Sequence, residues 1–135
     1  MTIKCINEFW QRRWTAYHCR DKYRLTIQRF KTENRKVRRE EIVLSRLRTN
    51  LTLINDIIPY LNGRHPETCE HCRELLTIKH ILIDCRLYTQ HRRELKAYFE
   101  KVRKPFTAFN VLQDDPEAIE LLIKYLRNTK LLDQI

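Results

Sequence analysis

Glycine is almost missing from this chain: Gly63 is the single example in 135 residues. Proline is sparse too, confined to Pro59, Pro66, Pro105 and Pro116. These two residue types end helices and make turns, so a long chain with so few of them reads as mostly helix. No apolar run approaches the roughly 20 residues that cross a bilayer, so no membrane partner is expected. No signal-like apolar run precedes the cysteines, and the cysteines number five, which is odd. A disulfide framework would need an oxidising compartment. Reduced, metal-binding thiols inside a cell fit better, with nucleus and cytoplasm both open. At this length one domain, or one domain with a tail, is expected, large enough for a modest core.

What the chain does have is positive charge, +10 in all. Residues 1–50 hold 14 Lys/Arg against 5 Asp/Glu, residues 51–104 hold 10 against 7, and residues 105–135 hold 3 against 5. The excess is therefore largely N-terminal. It points to a polyanionic partner, nucleic acid before others, against the plainer reading of a solvated helical face.

It also has a metal-ligand pattern, Cys69-x2-Cys72-x7-His80-x4-Cys85. Three thiols and an imidazole are the donor set of a closed tetrahedral zinc site. The expectation is one structural Zn2+ held by Cys69, Cys72, His80 and Cys85. His71, between the first two cysteines, is expected to point away. On one unbroken α-helix His80 and Cys85 would stand about 140° apart, so a short helix is expected to begin after Thr77 and to end at Cys85. Leu75, Leu76, Ile78, Ile81, Leu82 and Ile83 are available to pack the site against the domain.

Taken in order, Ile6, Phe9, Trp10, Trp14 and Tyr17 recur at helical spacing and predict an amphipathic helix over about 3–17, its tryptophans in a core. Tyr23, Leu25 and Ile27 alternate with polar residues and suggest a short strand or extended linker. Residues 31–39 are polar and basic, a linker or arm. A helix from about Val37 carries Val43, Leu44 and Leu47, and a second short one buries Ile54, Ile57, Ile58 and Leu61 before the Asn62-Gly63 stop. Tyr88, His91, Leu95, Tyr98, Phe99 and Val102 make a further amphipathic helix, with His91 a core or boundary residue. The last helix starts with Asp115 as cap and Pro116 at its first position, and buries Ile119, Leu122, Ile123 and Leu126. The fold class is thus mainly α: a small helical domain with a Cys3His zinc-binding loop and at most a short strand or hairpin. Residues 1–36 are read as an N-terminal helix and basic linker, and 37–135 as the helical zinc-binding domain.

Several segments together resemble a known family. Arg38-Arg39-Glu40-Glu41, Arg46-Leu47-Arg48-Thr49, Ile54-Asn55, the Cys-x2-Cys pair, then Thr77, His80, Leu82, Cys85, Tyr88 and Arg92-Arg93 follow in order. The chain is similar to the C-terminal region of the reverse transcriptase–RNase H polyproteins of jockey/I-type non-LTR retrotransposons. The likeness is good over about residues 1–103 and loose beyond. Three departures stand out: Arg73 and Arg86 where the family usually has glycine and proline, and Leu51 where it often has histidine. The family's polymerase and RNase H carboxylates lie upstream of this region. The resemblance therefore implies a non-catalytic transposable-element module, a fragment or remnant, with the Trp10 and Trp14 helix similar to the end of an RNase H-like domain or the segment just after it.

The expected function is a zinc-stabilised nucleic-acid-binding module, not an enzyme, contacting phosphate through Arg35, Lys36, Arg38, Arg39, Arg46 and Arg48. RNA, DNA and a hybrid are all open as the partner. The alternative is a protein-interaction module that docks on the polymerase or RNase H core, with zinc purely structural.

Overall fold

Helix dominates, as so glycine-poor a chain requires. The computed structural model describes residues 2–16, 30–49, 52 and 68–135. Among them five α-helices run in chain order: α1 Ile3–Ala16, α2 Arg38–Thr49, α3 Arg93–Lys101, α4 Ala108–Val111 and α5 Pro116–Asn128. Short 3-10 turns cover Lys31–Glu33, Arg86–Tyr88 and Leu131–Asp133, and a π turn covers His80–Asp84. No strand occurs among the described residues; one isolated antiparallel bridge joins Thr68 and Leu75. The segments read as a Tyr23–Ile27 strand and as the Ile54–Leu61 helix lie outside the described residues, as do Cys19 and the Asn62-Gly63 turn.

Helix α5 packs against α3, α4 and the Leu131–Asp133 turn. Its cap is the expected one: Asp115 Oδ1 accepts from the Glu117 and Ala118 N–H groups, and Pro116 follows where no N–H is needed. Ala118, Ile119, Leu122, Ile123, Tyr125 and Leu126 are all buried. Burying a large apolar side chain contributes roughly 1.5–3 kcal/mol, which explains why this stripe holds the bundle. Val43, Leu44 and Leu47 of α2, Leu95 and Phe99 of α3, and Val111 and Leu112 at α4 complete the core. Leu131, Leu132 and Ile135 close it.

The basic segment before α2 is not a loose linker. Phe30 is buried, and Asp114 accepts from the Lys31 and Thr32 N–H groups and the Thr32 hydroxyl at 3.0, 2.9 and 2.7 Å. Residues 30–35 therefore pack with the helical body. Their docking partner lies about 80 residues away in sequence, beyond the reach of local pattern reading.

Helix α1 has the expected bounds to within a residue, but Trp10 is not in a core. Phe9 and Trp10 are about half exposed and stack edge-on, with the Arg13 guanidinium 5.7 and 5.8 Å from their ring centroids. No helix among the described residues is long and apolar enough to cross a membrane.

Candidate metal centre

Cys69 and Cys72 sit on a pinched turn. The Cys69 N–H donates to Glu74 O, and the Arg73 N–H donates to Cys69 O, both at 2.7 Å. The turn closes because Arg73 adopts a left-handed conformation, φ 60°. A side chain there costs roughly 1–2 kcal/mol per residue, so the position favours glycine. Arg73→Gly is expected to stabilise the metal-bound protein by about 0.5–1 kcal/mol, since glycine's own flexibility offsets part of the gain. A thermal melt checks this, and an unchanged or lower midpoint contradicts it.

His80 and Cys85 come from the second limb. Thr77 caps it, its hydroxyl accepting from the His80 N–H at 3.0 Å. The helix begins after Thr77 and ends at Cys85, as the spacing predicts, but it is not an α-helix throughout. It winds wider. The Cys85 N–H reaches back five residues to His80 O at 2.7 Å, which makes the π turn. One extra residue per turn brings side chains five apart onto one side, where an α-helix would separate them. Cys85 then leaves in extended geometry, φ −61° and ψ 121°.

This limb is held firmly. Ile78, Ile81 and Leu82 are buried in the core, while Leu75 is exposed at 48 % and does not pack as expected. The Tyr125 hydroxyl donates to Ile81 O at 2.6 Å, and burial raises that phenol's pKa further. Arg92, itself buried, donates through its two terminal nitrogens to Ile83 O and Cys85 O. These carbonyls are freed where the helix ends, and the guanidinium takes them.

The four side chains converge. Their ligand atoms lie within 4.8 Å of one another. Cys69 Sγ and Cys72 Sγ stand 3.8 and 3.9 Å from Cys85 Sγ. Sulfurs bonded at about 2.3 Å to one tetrahedral ion are about 3.8 Å apart. His80 supplies the sharpest test of fit. Its Nδ1 lies 3.1 Å from Glu74 Oε2, while its Nε2 is buried with no hydrogen-bond partner. A buried nitrogen left unsatisfied costs free energy. Donation from Nδ1–H to Glu74 leaves the Nε2 lone pair for a metal, the arrangement by which a carboxylate orients a ligating imidazole. Glu74 is expected to matter for that reason alone: Glu74→Ala should weaken metal binding about 10-fold, at the low end for such partners because the carboxylate is largely exposed. Chelator competition reads this, and an unchanged affinity would refute the orienting role.

Electrostatics follow the crowding. Burial pushes the Cys69 thiol up, but the Cys72 N–H, the His80 ring, the His71 N–H and the Cys85 thiol outweigh it and bring it to about 7. Burial pushes the Cys85 thiol up to about 11, the Leu87 N–H opposing and the Cys69 and Cys72 groups adding to it. Sulfurs this close cannot all ionise without a cation among them.

Among the described residues no other group of His, Cys, Asp and Glu is arranged to hold a metal. His71 is exposed and outside the cluster, as expected. His91 is exposed against the edge of Tyr88, not in the core. Cys5 is exposed on α1.

The six arginines and lysines expected to bind phosphate meet different fates. Lys36 and Arg38 are exposed, Arg38 pairing with Glu41 at 2.7 Å. Arg35 is largely covered, paired with Glu40 at 2.8 Å and with Glu120, which raises its own pKa and lowers that of Glu120. Arg39 donates to Leu132 O at 3.1 Å and Arg46 to Ile135 O at 2.8 Å. Arg48 is 2 % exposed. It donates to Leu112 O, Thr32 Oγ1 and Gln113 O at 2.8, 2.8 and 3.2 Å, 4.4 Å above the Phe30 ring. The expectation of an exposed arm is therefore corrected: most of these side chains tie the bundle together. Two residues that sequence pattern did not assign to the site, Glu74 and Arg92, support it instead. Arg92 had one readable signal, its place at the start of α3, one turn before the buried Leu95.

Comparison with protein-family models, with curated proteins and with solved structures finds no match for this chain.

Proposed function

We propose that this chain is a helical module in which Cys69, Cys72, His80 and Cys85 hold one structural zinc ion and whose basic surface binds nucleic acid. The zinc assignment rests on the donor set: two sulfurs at tetrahedral spacing from that of Cys85, and an unpartnered Nε2 on a histidine already oriented by Glu74. Soft thiolates with one imidazole in a tetrahedral site favour zinc over hard cations. Four protein donors leave no open position for water or substrate, so the ion supplies fold and not chemistry. That makes a binding module the better reading than an enzyme.

The net charge of +10 supports a nucleic-acid partner. The resemblance to the C-terminal region of jockey/I-type reverse transcriptase–RNase H proteins agrees with it and suggests a retroelement origin. One observation favours a second reading, docking onto a protein partner: Ile3, Phe9 and Trp10 are exposed on α1. Titrating the zinc-loaded chain with duplex DNA, duplex RNA and a hybrid at several salt concentrations separates the two. Affinity that falls steeply with salt supports nucleic-acid binding. Absence of binding, or a flat salt dependence, supports docking.

A further inference from the structure

Resting on the nucleic-acid reading above, we infer that the outer face of α3 is the surface that binds the sugar–phosphate backbone of a duplex. Residues 86–104 hold seven Lys/Arg against two Asp/Glu, a local excess hidden when charge is summed over longer segments. One of the seven, Arg92, is buried beneath the metal centre. Arg86, Arg93, Lys96, Lys101, Arg103 and Lys104 are exposed. Among the described residues none of these six forms an ion pair, unlike Arg35 and Arg38 before and within α2.

The packing of α3 explains the one-sidedness. Leu95 and Phe99 face the core, and the Tyr98 hydroxyl donates to Asp115 Oδ2 at 2.7 Å. Glu94, one of the two acids, is neutralised by Lys124 of α5 at 2.6 Å. The opposite side carries Arg93 and Lys96, with Glu100, the other acid of the segment, beside them. A shallow groove of about 270 Å³ runs there, lined by Thr89, Gln90, Arg93, Lys96, Ala97 and Glu100. The small Ala97 side chain lets a phosphodiester approach between longer neighbours. Side chains three or four apart on a helix stand about 5–6 Å from each other, a spacing from which Arg and Lys reach successive phosphates of one strand. No Phe, Tyr or Trp lines the groove. Single-strand binders stack bases on aromatic rings, so a basic row without them fits duplex backbone, bound with little regard to sequence.

The test compares three variants of the zinc-loaded chain against a duplex of about 20 base pairs over a range of salt. Arg93→Ala/Lys96→Ala/Lys101→Ala is expected to lower affinity at least about 10-fold and to flatten the log-affinity versus log-salt slope by roughly 0.9 for each phosphate no longer neutralised. Glu100→Lys is expected to raise affinity, a gain that a damaged fold cannot mimic. Lys36→Ala/Arg38→Ala is expected to change affinity less than the triple variant does. Steep binding by the parent chain that is indifferent to the triple variant and to Glu100→Lys would overturn the α3 face while leaving the nucleic-acid reading intact. No duplex binding by the parent chain would overturn both, as would binding only to anionic lipid vesicles or to a protein.

Discussion

Cys85→Ser is expected to remove stoichiometric zinc and to lower the melting midpoint by about 10 °C or more. Cys85 is 1 % exposed, and its sulfur is the one that stands 3.8 and 3.9 Å from both other thiols. Serine offers a harder, scarcely acidic oxygen, and the remaining three donors cannot close the tetrahedron. Structural zinc contributes on the order of 10 kcal/mol to small zinc-finger peptides, where nearly all folding depends on it. Here α2, α3 and α5 share a core of their own, so the loss is smaller. The expected cost is at least about 3 kcal/mol, roughly 4 °C or more of midpoint per kcal/mol for a domain near 100 residues. Cys5→Ser, on the exposed face of α1, is the control and should change neither quantity. An unaltered melt in Cys85→Ser would contradict the structural role.

The same centre should show its thiols through pH. A metal ion displaces protons from thiols that still carry them. Cys85, raised to about 11, is protonated throughout the physiological range, and Cys69, near 7, is protonated below neutrality. Zinc binding should therefore release at least one proton above pH about 7 and at least two below it. Log affinity should climb with pH, more steeply on the acid side. A flat profile between pH 5 and about 7 would rule out thiolate ligation.

Arg48→Ala is the second large effect expected, and it separates architecture from binding. The guanidinium satisfies Leu112 O, Gln113 O and Thr32 Oγ1 and covers Phe30. Removing it strands the buried Leu112 carbonyl, takes a partner from Gln113 O and from the Thr32 hydroxyl, which keeps its bond to Asp114, and leaves the Phe30 ring uncovered. Charge-assisted hydrogen bonds contribute about 1.5–3 kcal/mol each, and breaking a buried network commonly costs about 3–5 kcal/mol in sum. Denaturant unfolding should show a loss of about 3 kcal/mol, while the salt slope of duplex binding by the folded protein should stay as it was. A stable Arg48→Ala protein with weakened duplex binding would restore Arg48 to the phosphate-contacting set.

Which parts of this were legible beforehand follows from the range of the forces involved. Metal coordination demands particular side chains at a few spacings, so Cys69, Cys72, His80 and Cys85 stand out in one dimension. The stripe Ile119, Leu122, Ile123 and Leu126 stands out because burial and the helical period coincide. Charge is different. A count of arginines does not say which one is buried, because the partners of Arg48, at Thr32, Leu112 and Gln113, come from distant segments. Pattern reading had one usable clue: Arg48 follows Leu44 and Leu47 on the same stripe, where a lone arginine signals a buried tie. Arg92 gives the same clue ahead of Leu95 and Phe99. The π turn could not be read at all, since it depends on Arg92 and Tyr125 holding its carbonyls.

The four converging side chains are proposed to hold zinc through three sulfurs and one nitrogen. X-ray absorption at the zinc edge, on protein purified without added metal and quantified by elemental analysis, tests it most directly. One zinc per chain is expected, with three sulfurs at about 2.3 Å and one nitrogen at about 2.0–2.1 Å. A metal-free protein that melts identically before and after zinc is added, or a bound zinc whose shell lacks sulfur, would contradict it.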